Sequence, residues 1–172
     1  LVDIKETIGL EIGASDLPTV KPPTGRCFHA NFRSKSEMIS LWSLDPNEVT
    51  DVDYIVPRNG LLSERITDRK FDYIVLAHVL EHIADHIGYT QDLSGLLNGK
   101  GVIMMAIPDK RRTFDQNREL TRIEHLLNDY YERPTYPSLE HIMECAPCII
   151  DELRDKGPTE LYRWAKQNHE SG

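Results

Sequence analysis

Histidines follow one of the most apolar segments of the chain. Phe71–Ala77 is a short, nearly continuous apolar run, typical of a strand buried on both faces of a parallel sheet. Ligands bind such sheets beyond the carboxyl ends of the strands. His78 and His82 are four residues apart and share one face if a helix begins at His78. Because imidazole titrates near neutral pH, we expect either to act as a ligand contact or general base.

His86 continues the same spacing, so a helix would carry a row of three histidines. Such a row is typical either of a metal site or of a solvated helix surface. A metal ion needs further ligands within reach, so we weigh the solvated surface above the metal site. We therefore predict no metal here.

A second candidate segment covers residues 9–16. Glu11 lies at the end of a predicted strand, and Gly13, Ala14 and Ser15 follow it. Small residues at a strand end let a ligand approach the backbone closely, and a carboxylate there can accept hydrogen bonds from ammonium or hydroxyl groups. The alternative is a tight turn at the strand end with no ligand.

The third candidate is a basic segment after the last predicted strand. Lys110 and Arg111 follow Pro108 and Asp109, on the same edge of the predicted sheet. We predict that these two cations bind an anionic acceptor. The alternative is solubilising charge at the beginning of a helix.

The three cysteines do not indicate a disulfide framework, because their number is odd and they are not arranged in spaced pairs. Cys145 and Cys148 have the CxxC spacing of a redox dithiol or half a zinc site, but no second pair follows. We expect two helical cysteines without chemistry. A reducing compartment and the lack of an export signal predict a cytoplasmic protein.

Strands and helices alternate along the first two thirds of the chain. A helix over residues 36–44, capped by Ser36, and a second helix over residues 78–97, interrupted at Gly88, lie between the predicted strands. Asn98-Gly99-Lys100-Gly101 is predicted to end the second helix. The predicted strands are residues 8–12, 26–31, 52–56, 71–77 and 102–107.

After residue 109 the pattern is helical, and no segment has the pattern of a strand. One apolar stripe comprises Leu120, Ile123, Leu126, Leu127 and Tyr130, and a second comprises Ile142, Cys145, Ile149 and Leu153. The order of elements predicts an α/β fold with a right-handed βαβ unit: a Rossmann-like open sheet of mainly parallel strands with helices on both faces. We expect one domain over residues 1–172, with a core at 8–109 and a helical extension at 110–172.

The net charge of −8 disfavours nonspecific nucleic-acid binding, which requires clustered cations. No apolar run is long enough to span a membrane. The chain does not begin with Met, which is typical of a fragment or a processed protein. We expect a small-molecule partner, no nucleic acid, and either a homodimer or part of a larger chain.

In their order and spacing, four segments together resemble the class I S-adenosylmethionine-dependent methyltransferases, specifically the methyltransferase-domain group found beside enzymes of sugar and polysaccharide biosynthesis. The resemblance covers about residues 8–141. It rests on residues 9–15, 71–82, 96–101 and 107–111.

The resemblance implies S-adenosylmethionine as cofactor and methyl transfer to an oxygen or nitrogen of a small acceptor, such as a sugar or glycan intermediate. Ala77 and His78 would meet the amino or sulfonium end of the cofactor, and His82 would face the acceptor, so His82 and His78 are the candidate catalytic residues. The cofactor-binding residues implied are Glu11, Gly13, Ala14, Ser15, Asn31, Ala77 and His78.

The chain departs from the family pattern at four places. One is the glycine-rich loop, which is reduced to Gly13 followed by Ala14 and Ser15. Asn31 replaces the acid that usually holds the ribose hydroxyls, and residues 57–60 replace the segment that often carries an Asp near the adenine. The final antiparallel hairpin of the fold is not visible, so either the chain stops early or the domain is abridged. These departures favour an alternative, a non-catalytic methyltransferase-like binding or scaffolding domain. An NAD-binding domain is less consistent with the single Gly13.

Overall fold

A computed structural model describes residues 3, 5–21, 26–57 and 60–169. Its centre is one sheet of five parallel strands in the order β3-β2-β1-β4-β5. The strands are β1 Ile8–Ile12, β2 Arg26–Asn31, β3 Tyr54–Ile55, β4 Phe71–Ala77 and β5 Leu97–Ala106. This open parallel sheet with its helices confirms the predicted Rossmann-like α/β class.

Five α-helices accompany the sheet within the described residues. They are α1 Lys35–Trp42, α2 His86–Gly95, α3 Ile123–Glu132, α4 Leu139–Ile149 and α5 Pro158–His169, with short 3₁₀ turns at Leu62–Glu64, Leu80–His82, Lys110–Arg112 and Asp151–Leu153. Residues 107–169 contain helices and no strand, as predicted. None of the described helices is long and apolar enough to cross a membrane.

Alternation along β4 divides the core between the two faces of the sheet. Ile74 and Leu76 pack with α2 residues Tyr89 and Leu93 in the larger apolar cluster. The opposite face carries a smaller cluster of Tyr73 and Val75 with Val20, which comes from the loop after β1. The central strands are therefore buried on both sides, as their continuous apolar sequences indicated.

The prediction that Ser36 caps the first helix is wrong, because the cap is Ser34. The Ser34 hydroxyl accepts the backbone N–H of Glu37, and the Glu37 carboxylate accepts the backbone N–H of Ser34. This reciprocal pair is a capping box with the spacing S-x-x-E. Ser36 lies inside the first turn, so α1 begins at Lys35.

The single helix predicted over residues 78–97 is wrong as well. His78 has φ 56°, a left-handed conformation that a helix cannot include, and its N–H donates to the Ala106 carbonyl at the end of β5 at 3.0 Å. A 3₁₀ turn follows, and α2 begins only at His86, after Asp85 accepts the N–H of Gly88 as its cap. His78, His82 and His86 therefore do not share a helix face.

The segment Asn98-Gly99-Lys100-Gly101 does not end the helix as predicted. Helix α2 ends at Gly95, and β5 begins at Leu97 with an irregular register against the start of β4. Asn98 donates its side-chain N–H to Asp72 at 2.8 Å. Residues 98–101 thus form the irregular beginning of a longer strand.

The C-terminal helices are joined to the sheet domain through α2. The guanidinium of Arg133, at the end of α3, donates to the Asp85 carboxylate. Gly88 makes room for this pair, since a Cβ there would lie 1.9 Å from Arg133 Nη1. The predicted interruption at Gly88 is therefore a packing position inside α2.

Candidate functional site

The ends of the three central strands lie side by side at the carboxyl edge of the sheet. Ile12 at the end of β1 is in register with Ala30 of β2 and with Leu76 of β4. The following residues, Gly13, Asn31 and Ala77, therefore form one row at this edge. The structure brings together these three residues, which the resemblance implied for cofactor binding.

Gly13 makes a turn at this edge that other residues resist. Its φ is 81°, and its N–H donates to the Ala30 carbonyl at 2.9 Å. A Cβ at this position would lie 2.7 Å from the Cγ2 methyl of Val79. The turn requires glycine both for its backbone conformation and for the close approach of Val79.

The Glu11 carboxylate holds the loop that follows this turn. It is 3% exposed, and its two oxygens accept the backbone N–H groups of Thr19 at 2.6 Å and Val20 at 2.9 Å. Both oxygens thus bind groups of the chain itself. Glu11 shapes the edge by fixing the loop over residues 14–20.

Two polar groups near this edge are buried and have no hydrogen-bond partner. They are Ser15 Oγ, two residues after Gly13, and Arg33 Nε, two residues after Asn31. A buried donor left unpaired costs about 1–3 kcal/mol, so each group would gain from a partner. Sequence reasoning named Ser15 but missed Arg33, since a single arginine after a strand gives no distinctive pattern.

Asn31 is 4% exposed, and its side chain forms its hydrogen bonds with other groups of the chain. Its amide nitrogen donates to the Ala14 carbonyl at 2.8 Å and contacts Met38 Sδ at 3.3 Å. Its side-chain oxygen accepts the N–H of Arg33 at 3.3 Å. Only the second lone pair of that oxygen is left for a ligand hydroxyl.

The exposed His78 side chain lies beside Glu81. His78 Nδ1 is 3.3 Å from Glu81 Oε1. The left-handed backbone of His78 costs energy in a non-glycine residue, and such strain is frequent at functional sites.

A cavity of about 450 Å³ extends from the turn after β4 toward the C-terminal helices. Glu81 and His82 contribute to one wall, whereas residues from α3 and α4 form the other. His82 thus lies on the cavity. The lining includes Arg118, His125, Asp129, His141, Cys145 and Trp164.

Lys110 and Arg111 do not contribute to this wall. Lys110 Nζ donates to the Gln116 carbonyl at 2.7 Å. Arg111 makes a bidentate pair with Asp109, with its Nη2 2.6 Å from Oδ2, and this pairing holds the pKa of the Asp109 carboxyl below its usual range. Both cations bind local groups of their own turn.

A cluster of two histidines and one aspartate, which the sequence analysis did not identify, lies in the cavity wall. His125 and Asp129, one turn apart on α3, have Nε2 and Oδ2 3.3 Å apart, and the ring of His141 from α4 is 4.2 Å from that of His125 between centroids. Burial, and next the charge of His125, lower the pKa of His141. The H-x-x-x-D spacing on a predicted helix was the available signal.

The cysteines are free thiols. Burial raises the pKa of Cys145 on α4, and it raises the pKa of Cys27 in β2 to about 11. Thiolates, not thiols, act as nucleophiles, so neither environment activates its cysteine. Glu11, Cys27 and His29 also lie close together, with His29 Nε2 4.0 Å from Glu11 Oε2, but the Glu11 oxygens already bind the loop.

Comparison with known proteins returned a family but no individual relative. No curated protein and no solved structure matches the chain. The profile of the family described as "Methyltransferase domain" matches residues 19–146, which include Asn31, the turn after β4 and most of the α3–α4 wall of the cavity. This match covers well over half of the 172 residues, and the chain therefore belongs to the methyltransferase domain family.

Proposed function

We propose that the chain binds S-adenosylmethionine at the carboxyl edge of β1, β2 and β4 and transfers its methyl group to an oxygen or nitrogen of a small acceptor. Methyltransferase domains of this family generally use that cofactor. The observation that carries the proposal is the row of Gly13, Asn31 and Ala77, with the unpartnered Ser15 Oγ and Arg33 Nε beside it. A sugar or glycan intermediate is the acceptor class to test first.

The residues at this edge fit the chemical groups of that cofactor. Ser15 Oγ and Arg33 Nε are donors that suit its carboxylate, and the left-handed turn at Gly13 allows close approach to the backbone. The remaining lone pair of Asn31 can accept one ribose hydroxyl. Ala77 and His78 complete this edge at the end of β4. Glu11 supports the site through its loop.

When bound, the cofactor supplies an activated methyl group and its own leaving group. The protein must align the acceptor, exclude water and take up the proton that the acceptor loses. His82 lies on the cavity wall, and neutral imidazole is a suitable base near pH 7. We assign His82 the role of base and His78 a position next to the reacting methyl.

One observation favours the alternative, a non-catalytic domain with the same fold. Asn31 stands where the family usually has a carboxylate, and its amide is already bonded within the chain. Such a domain would bind a partner without methyl transfer. The two candidates differ in whether bound cofactor is consumed.

Calorimetric titration with S-adenosylmethionine and S-adenosylhomocysteine tests the proposal. We expect one site for each ligand, and Ser15→Ala is expected to weaken binding about 10-fold or more because a charge-assisted hydrogen bond is lost. The matched control is Ser36→Ala on the exposed start of α1, which should bind as the wild type does. Absence of binding at millimolar ligand would overturn the proposal.

Transfer of labelled methyl groups to a panel of sugars, alcohols and amines then separates the two candidates. Turnover that His82→Ala lowers and the exposed Ser36→Ala leaves unchanged supports the enzyme. Cofactor binding without transfer to any member of the panel supports the non-catalytic domain.

A further inference from the structure

We propose that His125, Asp129 and His141 bind a divalent first-row transition metal such as Zn²⁺, with a coordination position open to the cavity. One ligand atom from each of the three residues lies within 4.8 Å of the others. This site is separate from the edge of β1, β2 and β4. Its test needs no methyl donor, so it stands or fails independently of the proposed function.

The spacing of the two α3 ligand atoms matches the geometry of a zinc site. With bonds of about 2.0–2.2 Å, neighbouring ligands of a tetrahedral zinc ion lie about 3.3–3.5 Å apart. The distance between His125 Nε2 and Asp129 Oδ2 is 3.3 Å. Residues one turn apart on a helix face in the same direction, so the two side chains reach a shared ion without rearrangement of α3.

The contact between these two residues is not a hydrogen bond. His125 Nε2 is buried and has no hydrogen-bond partner, although the Asp129 carboxylate, 10% exposed, lies 3.3 Å away. A neutral imidazole nitrogen without a proton is a metal ligand. The bound ion would satisfy both the unpaired nitrogen and the buried carboxylate.

The third ligand is held by its own helix cap. The N–H and the hydroxyl of Ser138 approach His141 Nδ1 at 3.3 and 3.2 Å, in the capping box that begins α4. A metal-bound histidine donates its second ring N–H, so binding through Nε2 takes the tautomer with the proton on Nδ1. In that tautomer Nδ1 donates to the Ser138 hydroxyl in place of accepting the Ser138 N–H. The charged groups that act on His141 are the carboxylates of Asp129 and Glu144 and the basic groups of Arg118 and His125.

The donor set selects the type of metal. Two imidazoles and one carboxylate suit zinc and other first-row transition metals, whereas Mg²⁺ and Ca²⁺ prefer oxygen ligands. Three protein ligands leave a position for water or for an acceptor oxygen, as in catalytic rather than structural sites. All three residues line the cavity that also contains His82, so that position opens toward the cavity.

Titration of the chain, without a polyhistidine tag, with Zn²⁺ against a coloured chelator tests the site. We expect one ion per chain and no competition from millimolar Mg²⁺ or Ca²⁺. His125→Gln and Asp129→Asn should each weaken binding by at least about 100-fold, because even substitutions outside the ligand set cost 10- to 100-fold. Absence of stoichiometric binding, or unchanged binding in both variants, would overturn the proposal.

Two controls test the choice of ligands. His86→Gln and Cys145→Ser alter the lining of the same cavity outside the group of three, and both should bind Zn²⁺ as the wild type does. If either loses the ion, the assigned ligand set is wrong. Thermal unfolding shows whether each variant is folded. Zn²⁺ should raise the Tm of the wild type and of both control variants. His125→Gln should be folded without metal, and Zn²⁺ should not raise its Tm.

Discussion

Arg133 Nη1 lies 2.9 Å from Asp85 Oδ2, and this pair joins the end of α3 to the beginning of α2. Asp85 also caps α2 through the N–H of Gly88, and its side chain is only 12% exposed. Arg133 has φ 51° and stacks on Tyr130 at 4.2 Å from the ring centroid. Helix α3, which forms part of the cavity wall, is thus anchored to the sheet domain by a mostly buried carboxylate.

We expect Arg133→Asn to lower the free energy of unfolding by about 1–2 kcal/mol, because it leaves the Asp85 carboxylate buried with only its cap contact. The half-exposed guanidinium keeps the loss below that of a fully buried pair. Asparagine tolerates the left-handed backbone, so the change isolates the side chain. Urea unfolding of the wild type and the variant measures this change in the free energy of unfolding. Arg154→Asn, which removes an exposed pair with Asp151, should change stability by less than about 0.5 kcal/mol.

Gly13→Ala should destabilise the fold by roughly 1–3 kcal/mol and abolish cofactor binding, because alanine is strained at positive φ and its methyl meets Val79. Denaturant unfolding and calorimetry measure the two effects. Gly99→Ala is the control, since a Cβ there has no neighbour within 4 Å. The double variant Gly13→Ala, Val79→Ala should recover only part of the stability, because it relieves the contact but not the backbone strain. Full recovery would contradict the role of φ.

His78→Gly separates function from folding at the end of β4. The substitution releases the left-handed strain, but glycine has a greater entropy in the unfolded chain, which offsets part of that gain. We therefore expect a gain in stability of no more than about 1 kcal/mol. Methyl transfer should fall because the imidazole is lost. Tm and kcat of the same preparation provide the measurement, and a large drop in Tm would show that the side chain supports the fold instead.

Cys27 should react slowly with iodoacetamide. Burial raises the pKa of its thiol from 9.0 to about 11, so at pH 8 the thiolate fraction is roughly 100-fold smaller than in an unperturbed thiol. The rate should rise about tenfold per pH unit between pH 8 and 10. Peptide mass spectrometry after timed alkylation follows this site, and urea-unfolded protein supplies the unperturbed rate. Equal rates in folded and unfolded protein would contradict the shift.

The same shift predicts a loss of stability in alkali. The folded state favours the protonated thiol, so its contribution is complete below pH 9 and is lost as the pH rises toward about 11. Cys27→Ser lacks this titration and should show a smaller loss over that window. Urea midpoints at pH 8 and pH 10.5 provide the comparison.

The sheet was predictable because its strands have strong local patterns. Phe71–Ala77 is apolar at nearly every position, and β1 and β4 have the predicted bounds. The helices were less predictable where a cap competes with the apolar spacing. Asp85 begins α2 eight residues after the end of β4, and nothing in the apolar pattern of residues 78–97 indicates that His78 adopts a left-handed turn.

The residues of the candidate site also differ in how far the sequence predicted them. Residues at strand ends, such as Gly13 and Asn31, follow from topology, since parallel strands end at one edge. Sequence could not show that the carboxylate of Glu11 binds backbone N–H groups eight and nine residues later, because the path of that loop is set by tertiary packing. The sequence likewise could not show that His141 of α4 lies against His125 of α3.

The cavity has two walls of different origin. The wall at His82 comes from the turn after β4, whereas the opposite wall belongs to α3, which packs against α2, and to α4, which packs against α5. Substitutions along the cavity side of these two helices change the shape and charge offered to an incoming molecule while the strand ends stay in place. Under the proposed function, acceptor preference would be separable from cofactor binding, and exchange of residues 118–150 between family members would test this separation.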